Sequence, residues 1–502
     1  MGGKLRKALV CAAVITSFAG VAHADELSDL KTQSQQLQQQ NQTLMQRINQ
    51  LEQREQKIEA VQAQQQAAPP PSTAVSAQKP GDDSLTWHGV TLYGAYDIGV
   101  AYQSAGTPLN NSYGPGIEEL ISKNSNHSLV SLAPNALSYS NIGLKGTEEI
   151  LPGISALFNL QTTFTSTGGN ISNGQQSLVD QNGVPLNKQI SGGDSSRAGQ
   201  LFDGAAYVGL SSPTWGTVTV GRQNSMTLDG VIAYDPQGAS NAFSLIGYSG
   251  TTAGIGDTQD ARLDSSIKYR VALGPIRAGA LIQEQGFGNA TTRSAYEADI
   301  GTDYAGFSFD AIYSQTYDAI SASSIAAPTP AQTGTLAATV SDNTSWMLLA
   351  RYNLDDATKF YAGTEHIQFD NPQNPLTTPF KDLGNYTIST VNNTAFNENK
   401  VLQITWTGVK YNVTPELELT GAAYFETQNS FATGKIAGCS TKAQSSACSG
   451  DEEAYSVVAD YKFAKRFDVY GGAMYSEVNG GLANGFLHDS TIDPIVGARF
   501  RF

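Results

Sequence analysis

Residues 204–225 read GAAYVGLSSPTWGTVTVGRQNS: two short runs of strand character, GAAYVGLSS and TVTVGRQNS, on either side of the tight turn Pro213-Thr214-Trp215-Gly216. A long segment without helical period follows, from about Met226 to Asp260, before Arg262 opens the next strand. A connector of that length is rarely passive. If the flanking strands belong to a closed barrel, residues 226–260 are long enough to fold inward and narrow its lumen. The expectation is therefore an all-β protein, a transmembrane antiparallel β-barrel built around a constriction.

Moving outward, period-two alternation begins at about Leu85 and persists. In WHGVTLYGAYDIGVAYQ, Val90, Leu92, Tyr96, Ile98 and Val100 fall on one side, and Thr91, Tyr93, Ala95 and Asp97 on the other. Later strands are about ten residues long, enough for a tilted strand to cross a bilayer. Connections alternate in length. Short ones fall near 149–153, 213–216, 273–275, 305–306, 355–357, 414–415 and 464–465. Long polar ones fall near 104–136, 167–200, 226–260, 286–293, 318–342, 370–398, 428–450 and 478–490. That sorting predicts sixteen strands, with eighteen as the alternative, short periplasmic turns and long outer loops. The final strand, TIDPIVGARFRF, sets Ile492, Val496, Ala498, Phe500 and Phe502 on one face and Gly497, Arg499 and Arg501 on the other. Phe502 is then the C-terminal aromatic of a membrane girdle.

Upstream lie three further segments. Lys4, Arg6 and Lys7 precede an apolar run from Ala8 to Ala22 and the site Ala22-His23-Ala24, which reads as a secretory signal over residues 1–24. The run is shorter than the roughly 20 residues that span a bilayer. Residues 25–66 are Gln-rich, with Leu30, Leu37, Leu44, Leu51 and Ile58 at heptad spacing and Asn41 at an a position. They read as a periplasmic coiled coil or as a Gln-rich tail. Residues 67–84 form a Pro-rich linker before the barrel over 85–502.

Composition bounds the partners. Losing the three signal-peptide bases takes the formal charge from -15 to -18, so nucleic acid is excluded as a partner. Once Cys11 leaves with the signal, Cys439 and Cys448 remain as a close pair in an oxidising compartment, which reads as a local disulfide. His88, His127, His366 and His488 are scattered, with no nucleophile or acid tied to them. No metal, cofactor or enzyme is implied.

Several stretches, namely GVTLYGAYDIGV, SNIGLKGTEEILPGISALFNLQ, AAYVGLSSPTWGTVTVGRQ, LDGVIAYDPQG and IVGARFRF, resemble the Gram-negative trimeric porins of the β-proteobacterial and neisserial type. The resemblance covers roughly residues 88–275 and the last strand. It implies a homotrimer of sixteen-stranded barrels in outer-membrane lipid, each with an inward third loop and passing small hydrophilic solutes and ions. It also implies a transverse field at the constriction, with loop acids at Asp229 and Asp235 facing basic wall residues. Arg262 matches a family arginine, and parity adds Lys145 and Arg270 to the lumen side. Asn141 and Gly204 stand where the family carries arginine. A thinned basic ladder predicts a neutral or mildly cation-preferring pore.

Arg222 shares the outward parity of Val218 and Val220. Either Gly221 carries a bulge that turns it inward, or a trimer interface covers it, with Asp194 as a candidate partner. Two other functions stay open. One is a substrate-specific channel with Tyr234, Phe243 and Tyr248 as an aromatic track. The other is an envelope tether in which the coiled coil binds peptidoglycan or another envelope partner.

Overall fold

A computed structural model describes residues 85–113, 127–246, 262–284, 293–327 and 334–502. The signal, coiled-coil and linker expectations lie outside the described residues, as does Tyr248. Sixteen antiparallel strands close into one ring. They are β1 Val90–Gln103, β2 Ser140–Leu151, β3 Ile154–Phe164, β4 Ala205–Ser212, β5 Gly216–Asn224, β6 Arg262–Leu273, β7 Ile276–Gln283 and β8 Ser294–Tyr304. The second half comprises β9 Phe307–Ser323, β10 Thr335–Asn353, β11 Thr358–Asp370, β12 Lys400–Asn412, β13 Leu417–Gln428, β14 Gly450–Ala464, β15 Phe467–Gly480 and β16 Ser490–Arg501. β16 pairs with β1 from Ile495↔Ala101 to Arg501↔Ala95. Phe502 then exchanges two backbone hydrogen bonds with Gly94, which finishes the seam. Three short strands, Thr86–Trp87, Leu129–Pro134 and Thr387–Asn392, pair along β1 and β10 without adding to the ring.

Closure satisfies every strand edge, which a hydrocarbon environment demands. Alternation then assigns the faces. Along β14, Tyr455, Val457, Tyr461 and Phe463 are exposed, while Ala454, Ser456, Val458 and Asp460 are buried. Outward aromatics gather in two girdles on the β8–β16 side. Tyr304, Phe307, Phe360 and Phe463 mark the short-turn end, and Tyr313, Trp346, Phe425 and Tyr455 mark the long-loop end. Phe500 and Phe502 stack at 5.7 Å in the first girdle.

The long loops L1 to L8 occupy residues 104–139, 165–204, 225–261, 284–293, 324–334, 371–399, 429–449 and 481–489. The expected L5 span of 318–342 is trimmed, because β9 and β10 continue past a register shift between Thr316 and Ala319. L2 carries helix α1, Gly174–Asp180. L3 carries helix α2, Met226–Tyr234, where the sequence showed no helical period. Ser225 starts α2 by accepting from Leu228 N at 3.0 Å.

Candidate functional site

L3 narrows the lumen by lying against its wall. The inner faces of β6 to β15 carry an apolar patch that includes Leu281, Ile312, Met347, Ile367, Ile404 and Trp406, and Met226, Val231 and Tyr234 of α2 pack into it. This departs from a lumen lined throughout by polar residues. The contact is close: a Cβ on Gly230 would come within 2.6 Å of Ile312 Cδ1 and 2.8 Å of Leu349 Cδ1. Trp406 Nε1 donates to Tyr234 O at 3.1 Å. Beyond α2 the segment runs on around the ring. Gln237 donates to Ser456 on β14, and Phe243 meets Tyr470 on β15 edge-on at 6.4 Å. Asn241 Nδ2 and Ala242 N then donate to the carbonyls of Asn135 and Ala136 beside β1.

Both loop acids serve this attachment. Asp229 is 7% exposed and faces the wall. Its Oδ2 accepts from Lys268 Nζ at 2.7 Å and from Arg270 Nη2 at 2.8 Å, and Arg270 also pairs with Asp299 at 2.7 Å. Burial alone would raise this carboxyl, but Lys268 and Arg270 outweigh it and hold it below the usual carboxylate range. Asp235 is 1% exposed. It accepts from Tyr424 OH at 2.6 Å and from the backbone of Gln237 and Ala239. Among the described residues no cation pairs with it, and burial pushes the carboxyl up despite those donors. Asp229 thus faces basic wall residues as expected, but in direct ion pairs and not across the passage, and Asp235 faces none among the described residues, so the expected transverse field is corrected. Lys268 was missed, although the parity that placed Arg270 inward places it there too.

What α2 turns to the lumen is apolar: Ile232 is 44% exposed, with Leu228 and Ala233 partly exposed beside it. The wall of β1 to β6 carries a set of polar and basic side chains. Tyr93 OH donates to Asn159 at 2.6 Å, and Lys145 Nζ stands 5.0 Å from the centre of the Tyr93 ring. Asn141 accepts from Gln161 at 3.2 Å and donates to Tyr139 O. Arg262 Nε donates to Gly204 O at 2.8 Å, within electrostatic reach of Tyr93 and Asp229. Asn141, Lys145 and Arg262 thus share the open wall, whereas Arg270 joins the attachment of L3.

Arg222 is covered within its own chain. A bulge between Gly221 and Gln223 is present, and the guanidinium donates to Asp264 Oδ1 at 2.7 Å and to the carbonyls of Asp203 and Ser196 at 2.8 Å. These contacts replace both the expected cover by a neighbouring subunit and the expected partner. Asp194 instead accepts from Gln175 of α1 and from Ala322 N. That bond belongs to a roof over the long-loop end. L2 reaches the β9–β10 hairpin, where Gly183 N donates to Ile325 O and Ser324 donates to Leu178 O. It also reaches L6, where Tyr386 OH donates to Gln176. L1 joins through Asn110, which donates to Asp180 at 3.0 Å. Within this roof Arg197 lies 3.6 Å from the Tyr139 ring centre, and burial pushes its guanidinium down to about 10. Cys439 and Cys448 are joined in L7.

A family model described as Gram-negative porin matches residues 10–481. An outer membrane porin protein of Bordetella pertussis is 28% identical over 181 residues, which are 36% of this chain and 38% of that protein. The matched region thus spans well under half of the relative. The anion-selective porin from Comamonas acidovorans superposes with a TM-score of 0.53 at 18% identity, covering 82% of this chain and 99% of the other. The trimer form of OmpT, an outer membrane protein of Vibrio cholerae, gives 0.50 at 13% identity, covering 82% and 99%. At those identities the likeness is one of fold.

Proposed function

The chain belongs to the Gram-negative porin family, and from that premise we propose that it is an outer-membrane pore through which small hydrophilic solutes and ions diffuse passively. One observation carries the reading: the described part of L3, residues 225–246, packs on the apolar inner wall, while Asn141, Lys145 and Arg262 on the polar wall stay part-exposed. A lumen so narrowed sorts solutes by size and charge without a cofactor or a catalytic step. With both loop acids turned into the wall, the charged residues that remain part-exposed on the polar wall, Lys145 and Arg262, are basic. The expected preference is weak and towards anions.

The assembly we propose is a homotrimer. The outward face of β2 to β5 lacks the paired girdles. It offers exposed aliphatic residues such as Ile142 and Leu144, and Val208, Leu210, Val218 and Val220 frame an apolar groove with Phe158 and Trp215. Girdles suit lipid, and an aliphatic groove suits another protein surface. A tether acting through residues 25–66 remains a separate proposal resting on their heptads; deleting them should alter envelope attachment and leave conductance intact.

The test is single-channel recording in a planar bilayer under a KCl gradient. The expected result is conductance that closes in three equal steps, with a reversal potential displaced slightly towards the chloride potential. A folded, heat-modifiable protein that conducts nothing would overturn the pore, and single closing steps would overturn the trimer.

A further inference from the structure

Two unlike outward surfaces lie near each other at the short-turn end of the barrel. One is the apolar groove, a hollow of about 1040 Å³ that spans β1 to β5, from Val90 to Val220. Its aromatic wall is fixed, because Phe158 lies over Gly146, where even a Cβ would come within 2.6 Å of the ring. The other is a ridge. Phe467 of β15 and Phe500 of β16 are register partners with ring centres 4.6 Å apart, and Phe463 and Phe502 extend the row at 6.0 and 5.7 Å. Phe467 opens β15 directly after a short turn, and Leu210 of the groove lies beside the end of β4 at Ser212. The charges of the two surfaces are opposite. Glu148 is exposed in the groove and forms no ion pair among the described residues. The strand end and turn that lead into Phe467 carry Lys462 and Lys465, both exposed, and Arg466.

An aliphatic hollow with an acid and an aromatic ridge with bases complement each other and not themselves, as a head-to-tail contact requires. Their spacing agrees. From Phe500 on β16 to β3, the middle strand of the groove, is three strands in a ring of sixteen, about 70° of the circumference. A closed ring of three subunits needs its two contacts about 60° apart, and a ring of four about 90°. From this pairing we propose that the subunits join head to tail, the Phe467 and Phe500 ridge of one copy seated in the β1–β5 groove of the next, with Lys465 of the first against Glu148 of the second. This rests on the trimer reading above and names the two surfaces that meet. Burial of the rings drives the contact, and the charges select which faces dock. Groove against groove would instead oppose Glu148 to its own copy and leave the ridge unused.

The experiment uses the full-length protein carrying Leu210→Cys and Phe500→Cys together. Within one barrel these positions are four strands apart, about 19 Å along the sheet, whereas a disulfide needs Cα atoms within about 7 Å. A bond between them therefore joins two copies. The expected result after oxidation is a trimer band that survives boiling and disappears with reductant, given by neither single variant. In a second set, Glu148→Lys and Lys465→Glu should each lower the temperature at which the trimer dissociates on a gel, and the two together should restore it. A trimer that forms normally without the double-cysteine cross-link would overturn the proposal and leave the groove to lipid. Cross-linking by Leu210→Cys alone would overturn it in favour of groove against groove. If the cysteine pair blocks insertion, the charge exchange decides, and a double variant no more stable than its singles overturns the contact. Unmodified protein that runs as a monomer before heating would instead overturn the trimer reading on which the proposal stands.

Discussion

Asp229 and Asp235 belong to the same inward segment, yet their surroundings drive them in opposite directions. Asp229 has two cations within hydrogen-bond distance, and Asp235 has only neutral donors. Breaking a buried ion pair by removing one member costs about 3–5 kcal/mol, because the remaining charge is left uncompensated. Asp229→Asn is therefore expected to loosen α2 from β6, seen as noisier open-channel current and a lower unfolding temperature of the barrel on a gel. The pH dependence follows from the depressed carboxyl. Its contribution is complete above the unfolded carboxylate value near 3.9 and is lost as pH falls through the lower folded value. Current noise in the unmodified channel should be flat from about pH 7 to pH 5 and rise only below about pH 4. Noise rising already near pH 6 would argue against Asp229 as the anchor. The sequence supplied the existence of these acids and, through parity, the inward side of Arg270. It did not tell which way an acid on a loop points, since that depends on whether a cation awaits it on a strand distant in sequence.

At the scale of elements, the unexpected feature is an apolar core inside the barrel. Its signal was present but easily misread. In β12, Leu402, Ile404 and Trp406 are buried while Thr405 and Thr407 are exposed, so the alternation is intact but inverted. In β10, Trp346 and Leu348 face out while Met347 and Leu349 face in, so both faces are apolar. Period alone fixes two faces without naming which is the outer one. Helix α2 escaped notice because its nine residues show little amphipathic contrast, being apolar towards both the wall and the lumen. At Gly230 that helix lies so near the wall that there is no room for a side chain. Gly230→Val would add bulk where even a Cβ stands 2.6 Å from Ile312 Cδ1. It is expected to push α2 into the passage, lowering KCl conductance and costing about 1–3 kcal/mol of stability by overpacking. An unchanged conductance would mean that the core yields and the helix does not.

Over the whole molecule, the strand number and the sorting of connections by length were legible in the sequence, since both follow from strands of fixed reach joined alternately by short and long segments. The ring of sixteen follows that reading. The uneven outer surface did not, because the girdles emerge only when residues from many strands are set side by side. The aliphatic face gives the test of assembly. Val208→Arg and Val457→Arg each place a cation on an outward position and share a lipid cost of about 2–4 kcal/mol at mid-membrane. Only the first lies in the groove, so it should abolish the trimer band on a gel, whereas Val457→Arg should leave it. Loss of trimer in both would dissociate assembly from that face. The roof over the long-loop end has an immunological corollary. L1, L2, the β9–β10 hairpin and L6 meet there through hydrogen bonds between segments far apart in sequence. Antibodies raised against the intact protein at the cell surface should therefore recognise discontinuous epitopes, and synthetic peptides copied from any single loop should compete poorly for them.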